Sequence, residues 1–258
     1  MTTVSRRSRQ FKQPRGGFIN PRDMTVHQLV DGHPTPLDQK TENLQASLVG
    51  TTVDYLTRLA GGADPRYAFH YSLVGAEFLG AQEFKRATAD VKSLIPGHVD
   101  AATVAVACRL SHYEAAFRAG PHAYNPDAQT VPNTVTVDHI LIMVDRCRVF
   151  FDQYGPVTLD GFEFRGAYTE VITNGDGDFL TADGLWDIKV STRGPTSKHT
   201  LQLLIYYLMG RRSGIPGFDS IRLLGIFNPR SNAAYHISLA DIPDDVVAEV
   251  SRSVIGYE

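Results

Sequence analysis

The stretch formed by residues 174–207 constrains the fold of this chain most, because it contains two short strand patterns followed by an amphipathic helix. Successive side chains of a strand point to opposite faces. Residues 185–191 therefore present one apolar face, which we expect in the core, and one polar face, which we expect to be exposed. The apolar side chains are Trp186, Ile188 and Val190, and the polar ones are Asp187, Lys189 and Ser191.

The dipeptide Asp183-Gly184 is a two-residue hairpin signal between these strand patterns. We therefore expect the strand of Asp178 to pair antiparallel with the strand of Asp187, so that both carboxylates face one point. Such oxygen clusters suit hard cations such as Mg²⁺, which use one or two carboxylates, waters and substrate phosphates. Lys189 lies on the same face as Asp187, where it could orient or deprotonate a water, or neutralise charge on a phosphate.

These motifs together resemble the RecB-like branch of the PD-(D/E)XK nuclease superfamily. That pattern is an Asp near a glycine-rich turn, then Asp-x-Lys on the next strand, then Gln-x-x-x-Tyr on the following helix. The matching residues are Asp178, Asp187-Ile188-Lys189, Gln202 and Tyr206. The resemblance implies an α/β fold with a restriction-endonuclease-like core, which is a central mixed sheet flanked by helices.

The resemblance also implies the roles of the matching residues. Asp178 and Asp187, with the backbone carbonyl of Ile188, would hold Mg²⁺ or Mn²⁺. Lys189 would help to activate water, and the glutamine and tyrosine of the helix would support the site.

Other interpretations of the same residues exist. An Asp and a Lys two positions apart on a strand commonly form a solvated face or a surface ion pair. Residues 174–178 also imitate the start of a calcium-binding loop. That loop requires Gly at its sixth position and Glu at its twelfth, where this chain has Phe179 and Leu185, so the calcium-loop interpretation fails.

Composition places the chain among ordinary globular proteins. It has 258 residues, 43% of them hydrophobic, and a net charge of -3, so any nucleic-acid surface must be local. Its two cysteines, Cys108 and Cys147, have no CxxC spacing, which favours free thiols in a reducing compartment. Long apolar runs and a signal-like N-terminal segment are lacking, and we expect a cytoplasmic protein without membrane insertion.

Residues 1–22 are basic, with no acidic residue before Asp23, and they have no apolar periodicity. We expect a flexible basic tail ahead of a nuclease-like domain that occupies residues 23–258. Such a tail is usually just solvated, but it could also hold a phosphate backbone by salt-sensitive attraction.

A helical pattern follows Thr41 and ends near Gly61-Gly62. In the resembled family, a helix ahead of the sheet often begins with a glycine-containing motif and supplies an acidic residue to the metal. Asp54 has that place here, although an exposed helix aspartate is an equal alternative. Residues 66–153 have further helical patterns, and we expect a helical insertion that shapes the cleft.

The periodicity changes to two after Val157, which predicts strands at residues 158–164 and 167–173 before the Asp178 strand. Glu170 lies on the second of these and could join the metal site or face solvent. In the helix after Thr196, Lys198, Gln202 and Tyr206 share one face, on which Lys198 could contact a nucleic-acid backbone. Strands at 221–228 and 233–239 and a closing helix at 241–255 complete the pattern.

These observations predict a metal-dependent deoxyribonuclease that hydrolyses phosphodiester bonds, with DNA as its partner and Mg²⁺ or Mn²⁺ as its cofactor. Unwinding or targeting, where needed, would come from a protein partner, and relatives of this kind work in DNA repair or phage defence. The alternative is a catalytically inactive protein of the nuclease fold that binds nucleic acid or assembles with a partner. An intact set of two aspartates and a lysine argues against this alternative.

Overall fold

A computed structural model describes residues 2–258, and it has a six-stranded mixed sheet at its centre. The strand order across the sheet is β1-β6-β5-β4-β3-β2. Neighbouring strands are antiparallel, except that β4 and β5 are parallel. The strands are β1 (Thr25–Gln28), β2 (Leu159–Glu163), β3 (Asp176–Leu180), β4 (Gly184–Ile188), β5 (Leu223–Asn228) and β6 (Ala233–Ser238).

Helices cover both faces of this sheet, so the predicted α/β class with a flanked mixed sheet is confirmed. Helix α10 continues into a π-helical turn at Val250–Ile255. The α-helices are α1 (Val4–Gln10), α2 (Ala46–Ala60), α3 (Pro65–Ala68), α4 (His70–Leu79), α5 (Ala81–Lys92), α6 (Ala101–His112), α7 (Glu114–Ala119), α8 (Thr134–Tyr154), α9 (Ser197–Ser213) and α10 (Asp244–Glu249).

One face of the sheet packs against the helices that precede β2. Phe150 of α8 stacks on Phe227 of β5 with ring centroids 4.4 Å apart, and it meets Trp186 of β4 edge-on at 4.9 Å. Apolar residues of α2 and α6 belong to the same core. Residues 66–153 are mainly helical, as predicted, and they share this core with α2 and the sheet.

The opposite face of the sheet is covered by α9 and by the π-helical turn after α10. Leu201, Leu204 and Ile205 of α9 are buried against apolar side chains of β4 and β5. Thr196 precedes α9, and Gly214 ends it in a left-handed conformation, as the sequence predicts. Strand β4 is therefore covered on both faces.

The predicted flexible tail is wrong for residues 4–10, which form helix α1. The side chain of Val4 is fully buried, and its N–H donates to the carbonyl of Asn174 at 3.1 Å. The guanidinium of Arg7 donates to the carbonyls of Ser253 and Val254, each at 2.9 Å. A helix this short buries too few side chains to produce an apolar period in the sequence.

The predicted strand at residues 167–173 is also wrong, because this segment forms a turn between β2 and β3. The hydroxyl oxygen of Thr169 accepts from the N–H groups of Val171 and Ile172 at 3.1 and 3.0 Å. Its own hydrogen is donated to the carbonyl of Ile255 at 2.6 Å. These bonds satisfy the polar groups that a strand would pair with its neighbours.

Within residues 2–258, no helix has the length and apolar character needed to cross a membrane.

Candidate active site

Two carboxylates meet where β3 and β4 pair. Phe179 opposes Trp186 and Leu180 opposes Leu185, and Asp178 and Asp187 are the next residue along each strand. Both aspartates therefore point to the face that α9 covers. The Oδ2 atom of Asp178 also accepts from the N–H of Ile188 at 3.0 Å. The antiparallel hairpin that the sequence predicts is confirmed.

Asp187 forms an ion pair with Lys189, which lies two residues later, just after the end of β4. The Nζ atom of Lys189 lies 2.9 Å from Oδ1 and 2.7 Å from Oδ2 of Asp187. Asp187 is only 2% exposed, so the expectation of an exposed carboxylate is wrong. Asp187 is buried because α9 covers the face of β4 on which its side chain lies, together with the apolar side chain of Leu185.

Lys189 keeps its charge in this environment. Burial disfavours the ammonium, but the carboxylates of Asp187 and Asp178 outweigh burial and raise the pKa of Lys189 above its ordinary value. A protonated lysine donates hydrogen bonds and cannot accept a proton. In this arrangement Lys189 can orient a water or an anion, and it does not act as a base.

With both carboxyl groups ionised, the pair would carry more negative charge than Lys189 offsets. Burial, followed by the charge of Asp187, raises the pKa of Asp178 well above its ordinary value, while Lys189 and the N–H of Ile188 oppose that shift. A further cation beside these oxygens would relieve the repulsion between them.

Asp54 approaches this pair from helix α2, but it is held by another partner. Its carboxylate pairs with Arg58 one turn later, and Arg58 also contacts Asp160 of β2 at 3.0 Å. The charge of Asp54 contributes to the raised pKa of Asp178. These residues border a cavity of about 370 Å³ that Ile188 also lines. Asp54 is thus near the site, within an ion-pair network.

Gln202 and Tyr206 are neighbours on α9, as the sequence predicts, but they are buried and do not form a solvated helix face. They are 8% and 3% exposed. The side-chain nitrogen of Gln202 donates to the hydroxyl of Tyr206 and to the hydroxyl of Ser5, the latter at 3.1 Å. Burial, followed by the charges of Asp187 and Asp178, raises the pKa of Tyr206 well above its ordinary value. Tyr206 therefore remains a neutral hydrogen-bonding group.

Glu170 and Lys198 are both exposed, and they differ in position. Glu170 lies in the turn between β2 and β3, so its predicted place on a strand is wrong. Within residues 2–258, the structure contains no group of three or more His, Cys, Asp or Glu side chains that could hold a metal. Neither Glu170 nor Asp54 forms such a group with the two aspartates in this structure. Lys198, by contrast, lines a cavity beside Lys189.

Several residues of that cavity were missed by the sequence-based prediction. The cavity has a volume of about 210 Å³ and lies between α1, the first turn of α9 and Lys189. The additional lining residues are Ser5, Ser8, Arg9 and His199. The serine spacing and the basic charge of residues 5–9 were visible in the sequence, but their position beside α9 was not.

Comparisons of this chain with protein family models, with curated proteins and with solved structures find no match.

Proposed function

We propose that this protein is a divalent-metal-dependent nuclease that hydrolyses phosphodiester bonds of DNA. The observation that carries the proposal is the carboxylate pair of Asp178 and Asp187 on adjacent strands, with Lys189 bonded to one of them. The order of elements supports it. Apart from helices α3–α8, which lie between α2 and β2, the chain has a helix (α2), three antiparallel strands (β2-β3-β4), a helix (α9) and a parallel strand (β5) in this order. This order is that of the restriction-endonuclease-like core in the resembled RecB-like branch.

The residues of the site fit a hard divalent cation. Asp178, Asp187 and the carbonyl of Ile188 offer oxygen ligands, which Mg²⁺ and Mn²⁺ prefer. The charge of Asp187, which after burial is the second cause of the raised pKa of Asp178, is the second point of fit, since a cation at this position would offset it. A bound cation would polarise a phosphate and lower the pKa of a coordinated water.

The side chains of the chain itself would position the substrate. The charged Lys189 would donate to a phosphate oxygen or to the attacking water, and it would offset the charge that develops on the phosphate. The buried hydrogen bond between Gln202 and Tyr206 fixes the side chains of α9 that face the two aspartates. Both groups are neutral, so they would add no negative charge to the site.

Cleavage of labelled linear and circular DNA, single- and double-stranded, tests this proposal with Mg²⁺, with Mn²⁺ and with a chelator. The exchange Asp187→Asn keeps the size of the buried side chain and removes its charge, so we expect the rate to fall at least about a hundredfold. The matched control is Asp183→Asn, because Asp183 is exposed in the β3–β4 turn and undergoes the same exchange of a carboxylate for an amide. Equal rates in the two variants would contradict the proposed site.

The ion pair between Asp54 and Arg58 favours one other candidate function. A helix carboxylate engaged by arginine is less free to bind metal, as expected of a protein that keeps the nuclease fold and binds nucleic acid without cleaving it. DNA binding that is independent of Mg²⁺, together with no cleavage of DNA or RNA in either metal, would support this candidate over the nuclease.

A further inference from the structure

The cavity between α1, α9 and Lys189 has an unusual lining. Its lining side chains come from three separate parts of the chain, and among residues 2–258 they include no carboxylate. Two polar members are almost completely buried, since Ser8 is 1% exposed and Gln202 is 8% exposed. The cationic or imidazole side chains are Arg9, Lys189, Lys198 and His199. Such a cavity suits an anion.

The imidazole of His199 is influenced by the charged side chains around the cavity. Burial, followed by the charge of Lys189, lowers the pKa of His199; the charge of Asp187 opposes this shift, and the charges of Arg9 and Lys198 add to it. Its Nδ1 atom accepts from the N–H of Thr196 at 3.3 Å. The neutral ring therefore carries its proton on Nε2, which makes Nε2 a hydrogen-bond donor.

Arg9 is oriented by its own helix. Its Nε atom donates to the carbonyl of Ser5 at 2.8 Å, which places the guanidinium along the cavity side of α1. The terminal guanidinium nitrogens supply the paired donors that match a phosphate. Because Lys189 lines the cavity and also bonds to Asp187, the cavity adjoins the carboxylate pair.

We infer that this cavity binds a phosphate group of the substrate strand next to the scissile phosphate, with Arg9, Lys198 and His199 as its ligands. The inference rests on the proposed nuclease function for the identity of the substrate. It makes α1 part of the substrate-binding surface, because Arg9 is supplied by that helix. The anchoring of α1 through Val4 and Arg7 then serves to hold Arg9 beside the active site.

Binding without cleavage tests this inference. A fluorescent single-stranded oligonucleotide is titrated in chelator with the wild type, Arg9→Ala and Lys198→Ala, and inorganic phosphate is used as a competitor. Both side chains are exposed, so both variants should fold, which circular dichroism checks. We expect about tenfold weaker binding in each variant, and a salt-dependence slope reduced by about one.

Arg6→Ala is the matched control, because Arg6 is an exposed arginine of the same helix that does not line the cavity. Arg6→Ala should bind the oligonucleotide with the affinity of the wild type, and inorganic phosphate should compete equally well in the two proteins. Equal affinities and equal salt slopes for Arg9→Ala, Lys198→Ala and Arg6→Ala would overturn the inference. A loss of binding confined to Arg9→Ala and Lys198→Ala, in a protein that cleaves no DNA, would uphold the phosphate site and reject the nuclease.

Discussion

Asp187 is a carboxylate held almost out of contact with water, and its neighbours only partly offset the cost of that position. Removing a charge from water costs several kcal/mol, and a close ion pair regains much of this energy. Lys189 supplies that pair for Asp187, while Asp178 on the neighbouring strand would add a second negative charge when it is ionised. The ion pair therefore offsets part of the cost of burying Asp187, and a bound cation would offset more of it.

The exchange Lys189→Ala should destabilise the protein, because it leaves the buried charge of Asp187 without its partner. We expect the free energy of unfolding to fall by roughly 1–3 kcal/mol, below the value for a fully buried pair since the Lys189 side chain is 32% exposed. Urea denaturation measures this change. The exposed Lys198→Ala serves as the control and should change stability by no more than about 0.5 kcal/mol. Equal decreases in the free energy of unfolding of the two variants would show that the ion pair does not stabilise the protein.

Among the secondary-structure elements, α1 has the least expected position. It packs against α9, bonds to the C-terminal turn through Arg7, and bonds to Gln202 through Ser5. Gly175 permits the close approach of Val4, because a Cβ atom at that glycine would lie 2.5 Å from a Val4 methyl group. The helix is thus fixed by contacts with three distant segments.

Val4→Ala should loosen α1 and leave the sheet folded. Two buried methyl groups are lost, so we expect a decrease of about 1.5–3 kcal/mol in the free energy of unfolding. Hydrogen exchange should become faster in residues 4–10 and change little in α9. Exchange of residues 4–10 in the wild type at the rate of an unstructured peptide would contradict the packed helix.

Across the whole molecule, the sequence predicted the features that depend on local chemistry. The Asp183-Gly184 signal and the alternation around Trp186 predicted the β3–β4 hairpin, although its turn lies one residue earlier and Gly184 begins β4. Gly214 marked the end of α9. The pairing of Asp54 with Arg58 was also within reach, since the two residues are four positions apart on a helix.

Features that depend on distant contacts were not predicted. Asp187 is buried only because α9 covers the polar face of β4. Helix α1 is held in place by hydrogen bonds from Arg7 to the carbonyls of Ser253 and Val254. The turn at residues 167–173 is set by Thr169, which bonds to Ile255 near the other end of the chain. Strand periodicity alone carries no information about these contacts.

The central claim is that Asp178 and Asp187 together hold a divalent cation, and calorimetric titration of the protein with Mn²⁺ tests it most directly. Asp176→Asn is the matched control, because Asp176 lies on the same strand and pairs with Arg118 at the surface. The account predicts Mn²⁺ binding in the wild type and in Asp176→Asn, and binding weakened at least about tenfold in Asp178→Asn. Equal Mn²⁺ affinity in all three proteins, or no binding to the wild type, would contradict the account.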